Sequence, residues 1–330
     1  MSRSSWNHVF ALLAMCLFLF AQPGCDVQPG SSSGTPNSSA ASGPRVVSLT
    51  PAITQMLIDM GKQENLVGVS QEDDASLGLP VCGSYNNPVV ARIVELKPDV
   101  VLTESPTGTT GDAPALLKAL SDEGVFALKV IPHSRSIADV HRALIDPEVG
   151  LGAAVGDQAA AERARKLMQL RIDLVSAVVK DAGRPRVLML INPTTLGAIG
   201  TGVTHDELLR LAGGSNALAH LNTGYLTLDR AQLERTIRPD VVLILEPGGS
   251  ELVDGDVRLR PLEGLTIPAV MNRRFAVIRH PQAMLPSTAL PEIMLEIALV
   301  LHPDKAVAIQ EAYDTAEKVV QQTQADGDGS

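Results

Sequence analysis

From residue 45 onward the chain alternates short β-branched apolar runs with longer amphipathic stretches. Runs at 45–49, 66–70, 99–102, 125–131, 186–192, 241–245 and 276–279 predict strands, and stretches at 52–61, 113–123, 204–212 and 229–238 predict helices. The strand runs are almost continuously apolar, the pattern of strands that helices cover on both faces of a parallel sheet. The pattern predicts an α/β protein of two doubly wound lobes with parallel-type sheets.

The two lobes are copies of one another. Arg45-Val46-Val47-Ser48-Leu49 with Pro51 resembles Arg186-Val187-Leu188-Met189-Leu190 with Pro193, and Pro98-Asp99-Val100-Val101-Leu102 recurs as Pro239-Asp240-Val241-Val242-Leu243. Both pairs are offset by 141 residues (186 − 45 and 239 − 98). Between the copies, residues 153–182 are rich in Ala, Lys, Arg, Gln and Leu, with no Pro or Gly after Gly156, and Leu167, Leu170, Leu174 and Val178 fall at helical spacing. This predicts one helix of about 30 residues and about 45 Å, a stiff rod between the lobes that permits little lobe movement. Gly183 and Pro185 supply its stop.

The N-terminus sets the compartment. Arg3 precedes a run of 13 apolar residues, Val9 to Ala21, too short to span a bilayer and suited to an export signal. Gln22-Pro23-Gly24-Cys25 resembles the bacterial lipobox, which implies lipidation of Cys25, although Gln22 stands where that pattern prefers an aliphatic residue. Residues 26–44 follow, with 12 of 19 positions Ser, Gly or Pro, a flexible tether. The predicted organisation is a signal peptide (1–24), lipidated Cys and tether (25–44), N-terminal lobe (45–150), connecting helix (151–183), C-terminal lobe (184–303), and C-terminal helix with polar tail (304–330).

Composition narrows the partners. Lys plus Arg is 27 against 37 Asp plus Glu, a formal charge of −10 that excludes a phosphate-backbone surface, so no nucleic acid is expected. Three cysteines, at 16, 25 and 82, are too few for a disulfide framework, and Cys82 reads as a small core hydrophobe. Enzyme signatures are absent: the G-x-S-x-G of Gly30–Gly34 lies in the tether, and Gly200-x-Gly202 has His205 where a dinucleotide fingerprint needs its third Gly. His133, His141, His205, His220, His280 and His302 follow no metal-ligand spacing and read as surface or capping residues. Neither an enzyme, a cofactor nor a protein-bound metal is expected.

Five segments in order, RVVSLTPAITQMLIDMG (45–61) with NLVGVS (65–70), NPVVARIVELKPDVVL (87–102), THDELLRLAGGSN (204–216) and LERTIRPDVVLIL (233–245), resemble the class III periplasmic solute-binding proteins. That group includes the vitamin B12, ferric-siderophore and haem receptors of ABC importers. The resemblance spans residues 45–303 and implies a monomeric receptor, exported and membrane-anchored through its lipid, that serves a permease and ATPase. Its ligand cleft would lie between the lobes, where open α/β sheets bind outside the carboxyl ends of their strands.

That position selects Thr50, Pro51, Tyr85, Ser105 and Thr107 in the first lobe, and Asn192, Thr194, Glu246, His280 and Met284 in the second. Tyr85 leads, because the matching position in the vitamin B12 receptor resembles an aromatic ligand contact. The selected loops carry almost no Lys or Arg, which favours a neutral chelate, a corrinoid ahead of a ferric siderophore. A haem receptor and a sensory or scavenging binder without a permease are the alternatives. The family's B12 and siderophore branch docks each lobe on its permease through a Glu eight residues before the repeated Asp. Here those positions are Ala91 and Gln232, so both acids are missing.

Overall fold

The structure, a computed structural model, describes residues 43–105, 119–120, 122 and 128–327. The export signal, Cys25, most of the tether, Thr107 and most of the helix expected at 113–123 lie outside the described residues, as does the Ser105 side chain.

The first sheet contains strands β1 (Val46–Ser48), β2 (Leu66–Gly68), β3 (Val100–Ser105) and β4 (Leu128–Pro132) in the order β2-β1-β3-β4, all parallel. The second is built on β5 (Arg186–Asn192), β9 (Val241–Leu245) and β10 (Phe275–Ile278), parallel neighbours in the order β10-β9-β5. Beyond β5 the sheet holds short strands that the apolar runs do not predict. Strands β6 (Gly197–Ile199) and β8 (Tyr225–Thr227) continue the sheet antiparallel, and β7 (Ser215–Asn216) pairs parallel with the start of β5.

The repeat holds at the level of single hydrogen bonds. Val46 stands opposite Val100, and Val187 opposite Val241, both pairs related by the offset of 141. The Arg45 N–H donates to the Asp99 carboxylate at 2.7 Å, and the Arg186 N–H donates to that of Asp240 at 2.9 Å. The returning bonds, Asp99 N to Arg45 O and Asp240 N to Arg186 O, measure 2.9 and 2.8 Å. Even the backbone strain is repeated, since Lys97 and Arg238, 141 apart, both take left-handed φ of 49° and 44°.

Alternation along the strands explains their continuous apolar sequence. Val46, Val100, Leu102, Val187, Met189, Val241 and Leu243 face one core, which runs from the first lobe through the connecting helix into the second. Val47, Leu49 and Val101 face a separate cluster, and so do Leu188, Leu190, Val242 and Ile244 in the other lobe.

The connector differs from the predicted rod. A short helix, Leu151–Val155, ends at Gly156, whose φ of 70° is the left-handed stop glycine tolerates best. Asp157 then caps a new helix, Gln158–Val179, by accepting from the Ala160 N–H at 2.9 Å. Its 22 residues span about 33 Å. The buried stripe is Ala164, Met168, Ile172, Val175 and Val179, one or two positions along from the predicted Leu167, Leu170, Leu174 and Val178, which are half-buried. The C-terminal helix Ala306–Gly327 packs along this connector, and the polar sequence after Lys318 belongs to it.

A polar cluster ties the connector to both lobes. Arg171 pairs with Glu292 at 2.9 Å and with Glu317 at 3.6 Å, and its guanidinium lies 4.6 Å from the Tyr313 ring centroid. The Tyr313 hydroxyl donates to Glu292, and the Thr288 hydroxyl to Asp59, at the end of helix Pro51–Asp59 in the first lobe. Burial and the neighbouring Glu292 push the Asp59 carboxyl above its ordinary value.

Candidate functional site

A cleft of about 540 Å³ opens at the carboxyl ends of β3 and β4, against loops of the second lobe. Its volume lies within the range of small-molecule sites. From the first lobe come Glu104, near the end of β3, and His133-Ser134-Arg135, directly after β4. The second lobe contributes Thr201–His205, Gly224, Tyr225 and Met284–Pro286.

The chain places these groups by local bonds. Parallel pairing sets Glu104 opposite Ile131, two residues before His133, and the His133 Nδ1 lies 2.7 Å from Glu104 Oε1. That carboxylate pushes the imidazole above its ordinary value, against the opposing effect of partial burial. The antiparallel pairing of β6 with β8 continues into Gly200 N to Gly224 O and Thr201 N to Thr223 O, both 2.7 Å, and so presents Thr201 and Tyr225 at the opening. Position 200 admits only glycine there, because a Cβ would collide with the Thr223 carbonyl oxygen. His205 is 2 % exposed, and its Nε2 lies 2.8 Å from Ala283 O, which fixes the loop carrying Met284. Burial pulls the His205 ring below its ordinary value, so it is neutral and the bond is an N–H donation.

Two expectations change here. His205 is buried rather than a surface or capping residue, His302 stands at the C-cap of helix Leu290–Leu301 but is buried there, and His133 is part of the cleft. Arg135 lines the cleft too, so the cleft is not free of basic residues. Among the described residues no three His, Cys, Asp or Glu groups converge on a metal site.

Of the residues selected from sequence, Met284 lines this cleft, and Ser105 follows its Glu104 along β3. Thr50 is the buried N-cap of helix Pro51–Asp59, with Pro51 as first helical residue and the Thr50 hydroxyl without a partner among the described residues. Tyr85 stands at the tip of a tight turn closed by Ser84 N to Asn87 O at 3.2 Å and Asn87 N to Ser84 O at 3.1 Å, and is 37 % exposed. Gly83 makes that turn, at φ of 83° with no room for a Cβ, which would collide with the Asn87 carbonyl oxygen. Asn192 turns back to accept from the Thr195 N–H at 3.2 Å, next to the exposed Thr194. Glu246 is engaged by Arg258, and the His280 Nδ1 accepts from the Gln282 N–H at 3.1 Å. The structure brings none of Thr50, Pro51, Tyr85, Asn192, Thr194, Glu246 or His280 to the lining of this cleft.

Ala91 and Gln232 are both exposed, each at the start of its helix, and Gln232 closes a capping box with Asp229. The acids nearest them are occupied: Glu95 by Arg92 at 2.7 Å, and Glu234 by the Thr266 hydroxyl at 2.9 Å.

Solved structures share this architecture. A periplasmic haem-binding protein of Pseudomonas aeruginosa superposes with a TM-score of 0.64 at 22% identity, over 79% of this chain and 93% of that one. The periplasmic vitamin B12 binding protein of Vibrio cholerae gives 0.57 at 20% identity, over 82% and 98%. A protein of Staphylococcus epidermidis described as a possible iron-binding, periplasmic solute-binding protein gives 0.65 at 19%, over 78% and 99%. The chain has the class III solute-binding-protein fold. No family model matches the chain, and no curated protein matches it. The fold's two sheets and long helix correspond to the elements described above, and no described helix is long and apolar enough to cross a membrane.

Proposed function

We propose that the chain is an extracytoplasmic substrate-binding lipoprotein that captures a metal chelate, a corrinoid or ferric siderophore, for an ABC importer. The observation that carries this reading is the cleft of about 540 Å³ between the lobes at the strand carboxyl ends, where this fold leaves room for a solute. Solved neighbours of the same fold include proteins described as binding haem and vitamin B12. In this reading residues 1–24 direct export, Cys25 carries the lipid, and residues 26–44 tether lobes 45–150 and 184–303, joined through 151–183.

The test is native mass spectrometry of residues 26–330 with cobalamin, cobinamide, haem and several ferric siderophores. Retention of one chelate at one-to-one stoichiometry is expected, with weakening of that complex in Met284→Ala, which lines the cleft, and no change in Tyr85→Ala, which does not. No retention across the panel refutes the reading. A second reading, a sensory or scavenging binder without a permease, is favoured by Ala91 and Gln232 and by the engagement of Glu95 and Glu234. Co-purification with a membrane permease and its ATPase separates the two.

A further inference from the structure

The cleft carries unneutralised positive charge. Arg135 is exposed and lines it, and among the described residues its guanidinium has neither a hydrogen bond nor an ion pair. Its backbone N–H is held by Asp139 at 3.1 Å, which fixes where the side chain leaves the chain. His133, two residues earlier, keeps Nδ1 on Glu104 at 2.7 Å, and its Nε2 has no partner among the described residues. Glu104 is the one carboxylate lining the cleft among the described residues, and this bond engages it.

The second lobe adds a complementary wall. Helix Thr204–Leu211 opens into the cleft with no side-chain cap, so its first N–H groups present the positive end of the helix dipole. The two acids of its first turn are occupied elsewhere: Asp206 accepts from Asn216 at 2.9 Å, and Glu207 from the Ile137 N–H at 3.0 Å. Independently of the helix end, Thr204 lines the cleft at 3 % exposure with a hydroxyl that is buried and has no partner among the described residues. A native fold rarely leaves such a group unpaired, and a ligand oxygen is the partner the described residues do not supply.

We propose that Arg135, His133 and the first turn of helix Thr204–Leu211 form a subsite for one ionised oxyanion group, a carboxylate or a phosphate, on the solute bound in this cleft. The inference rests on the reading of the cleft as the solute site and deepens it: the solute is an acid, and the neutral chelates favoured by the sequence-selected loops bind less well. Glu104 acts through His133 as a positioning residue.

The probes are inorganic phosphate and acetate, titrated at millimolar concentration into residues 26–330 and followed by amide NMR. Saturable shifts at Thr204 and His205 are expected, weakened about tenfold in Arg135→Gln, which removes one charge-assisted contact. Thr204→Val, of nearly the same shape, should weaken them as well. The stronger probe identifies the group. No saturable shift, or equal shifts in wild type and Arg135→Gln with unchanged spectra elsewhere, overturns the proposal. Because these ions need no chelate, a subsite that binds them in a protein that retains no chelate leaves the subsite standing and removes the import reading. Chelate retention without anion shifts does the reverse.

Discussion

Replacing Asp73 by Asn should stabilise the protein at neutral pH and change little in acid. Asp73 sits in the loop after β2 and holds that loop to the first lobe: its Oδ2 accepts from the Ser70 N–H at 2.8 Å and the Thr54 hydroxyl at 3.0 Å. Thr54 in turn reaches Ser48 at 2.9 Å, so the carboxyl closes a mostly buried polar chain. Desolvation outweighs these bonds, and the carboxyl is pushed from its ordinary 3.8 to about 6, with Glu72 contributing in the same direction. The native state therefore binds the extra proton between these values, and its contribution to stability is full below 3.8 and lost as pH rises through about 6. About two pKa units correspond to a ceiling of about 3 kcal/mol, and contact with water reduces this to about 1 to 2. The carboxamide oxygen of the Asp73→Asn protein can accept the same two bonds without a charge to desolvate. Chemical denaturation of both proteins from about pH 3.5 to about pH 7.5 is the assay, read as the difference between them so that other acids cancel. The curves should meet near pH 3.8, move apart as pH rises from there to about 6, and run parallel above it, with the Asn protein more stable. A less stable Asn protein at neutral pH, or a difference that does not vary with pH, would refute the reasoning.

Two further predictions concern the frame. Arg171→Leu strands Glu292 and Tyr313 and removes a cation that favours the charged form of Asp59; it should cost about 2 kcal/mol in denaturation, below the roughly 3–5 of a fully buried pair because Glu292 keeps contact with water. Asp99→Ala and Asp240→Ala remove the same backbone-capping bond from the two repeats, so each should cost about 1 kcal/mol, and the double variant their sum. Unequal costs would mean that the repeat is conserved in geometry but not in energy.

The sheets were legible because burial on both faces leaves a continuous apolar run, and because two copies at one offset confirm each other. Gly197–Ile199 and Tyr225–Thr227 were not, since three residues cannot display a period of two. Gly156 was visible, yet helical composition on both sides hid the break that its left-handed backbone and the Asp157 cap impose. The connector's buried stripe was misplaced by one or two positions because packing on two lobes and the C-terminal helix leaves few of its sides polar. The cleft was the least legible part. Its residues come from 104, 133–135, 201–205, 224–225 and 284–286, a set no local spacing connects. One signal was available: the rule that selected loops after the other strands also selects His133-Ser134-Arg135 after the run at 125–131.

The walls of the cleft are held by contacts that cross between the lobes and the connector. Glu207 of the second lobe accepts from the Ile137 N–H of the first at 3.0 Å, capping helix Ile137–Ile145 directly after the segment that carries Arg135. Lys62 pairs with Asp157 of the connector at 2.6 Å, Asp59 is bonded to Thr288, and one apolar core runs through both sheets and the connecting helix. Separating the lobes widely would expose that core and strand these groups together, whereas a displacement confined to the loops at 133–136, 201–204 and 284–286 would not. The break at Gly156 does not loosen this arrangement, because Asp157 both caps the long helix and receives Lys62 at the same point. Under the proposed function a solute would meet a site whose geometry the fold has already set, so little ordering entropy would oppose binding, and selectivity would fall to the few side chains that face the opening. Arg135, His133, Tyr225 and Met284 are the ones to vary first.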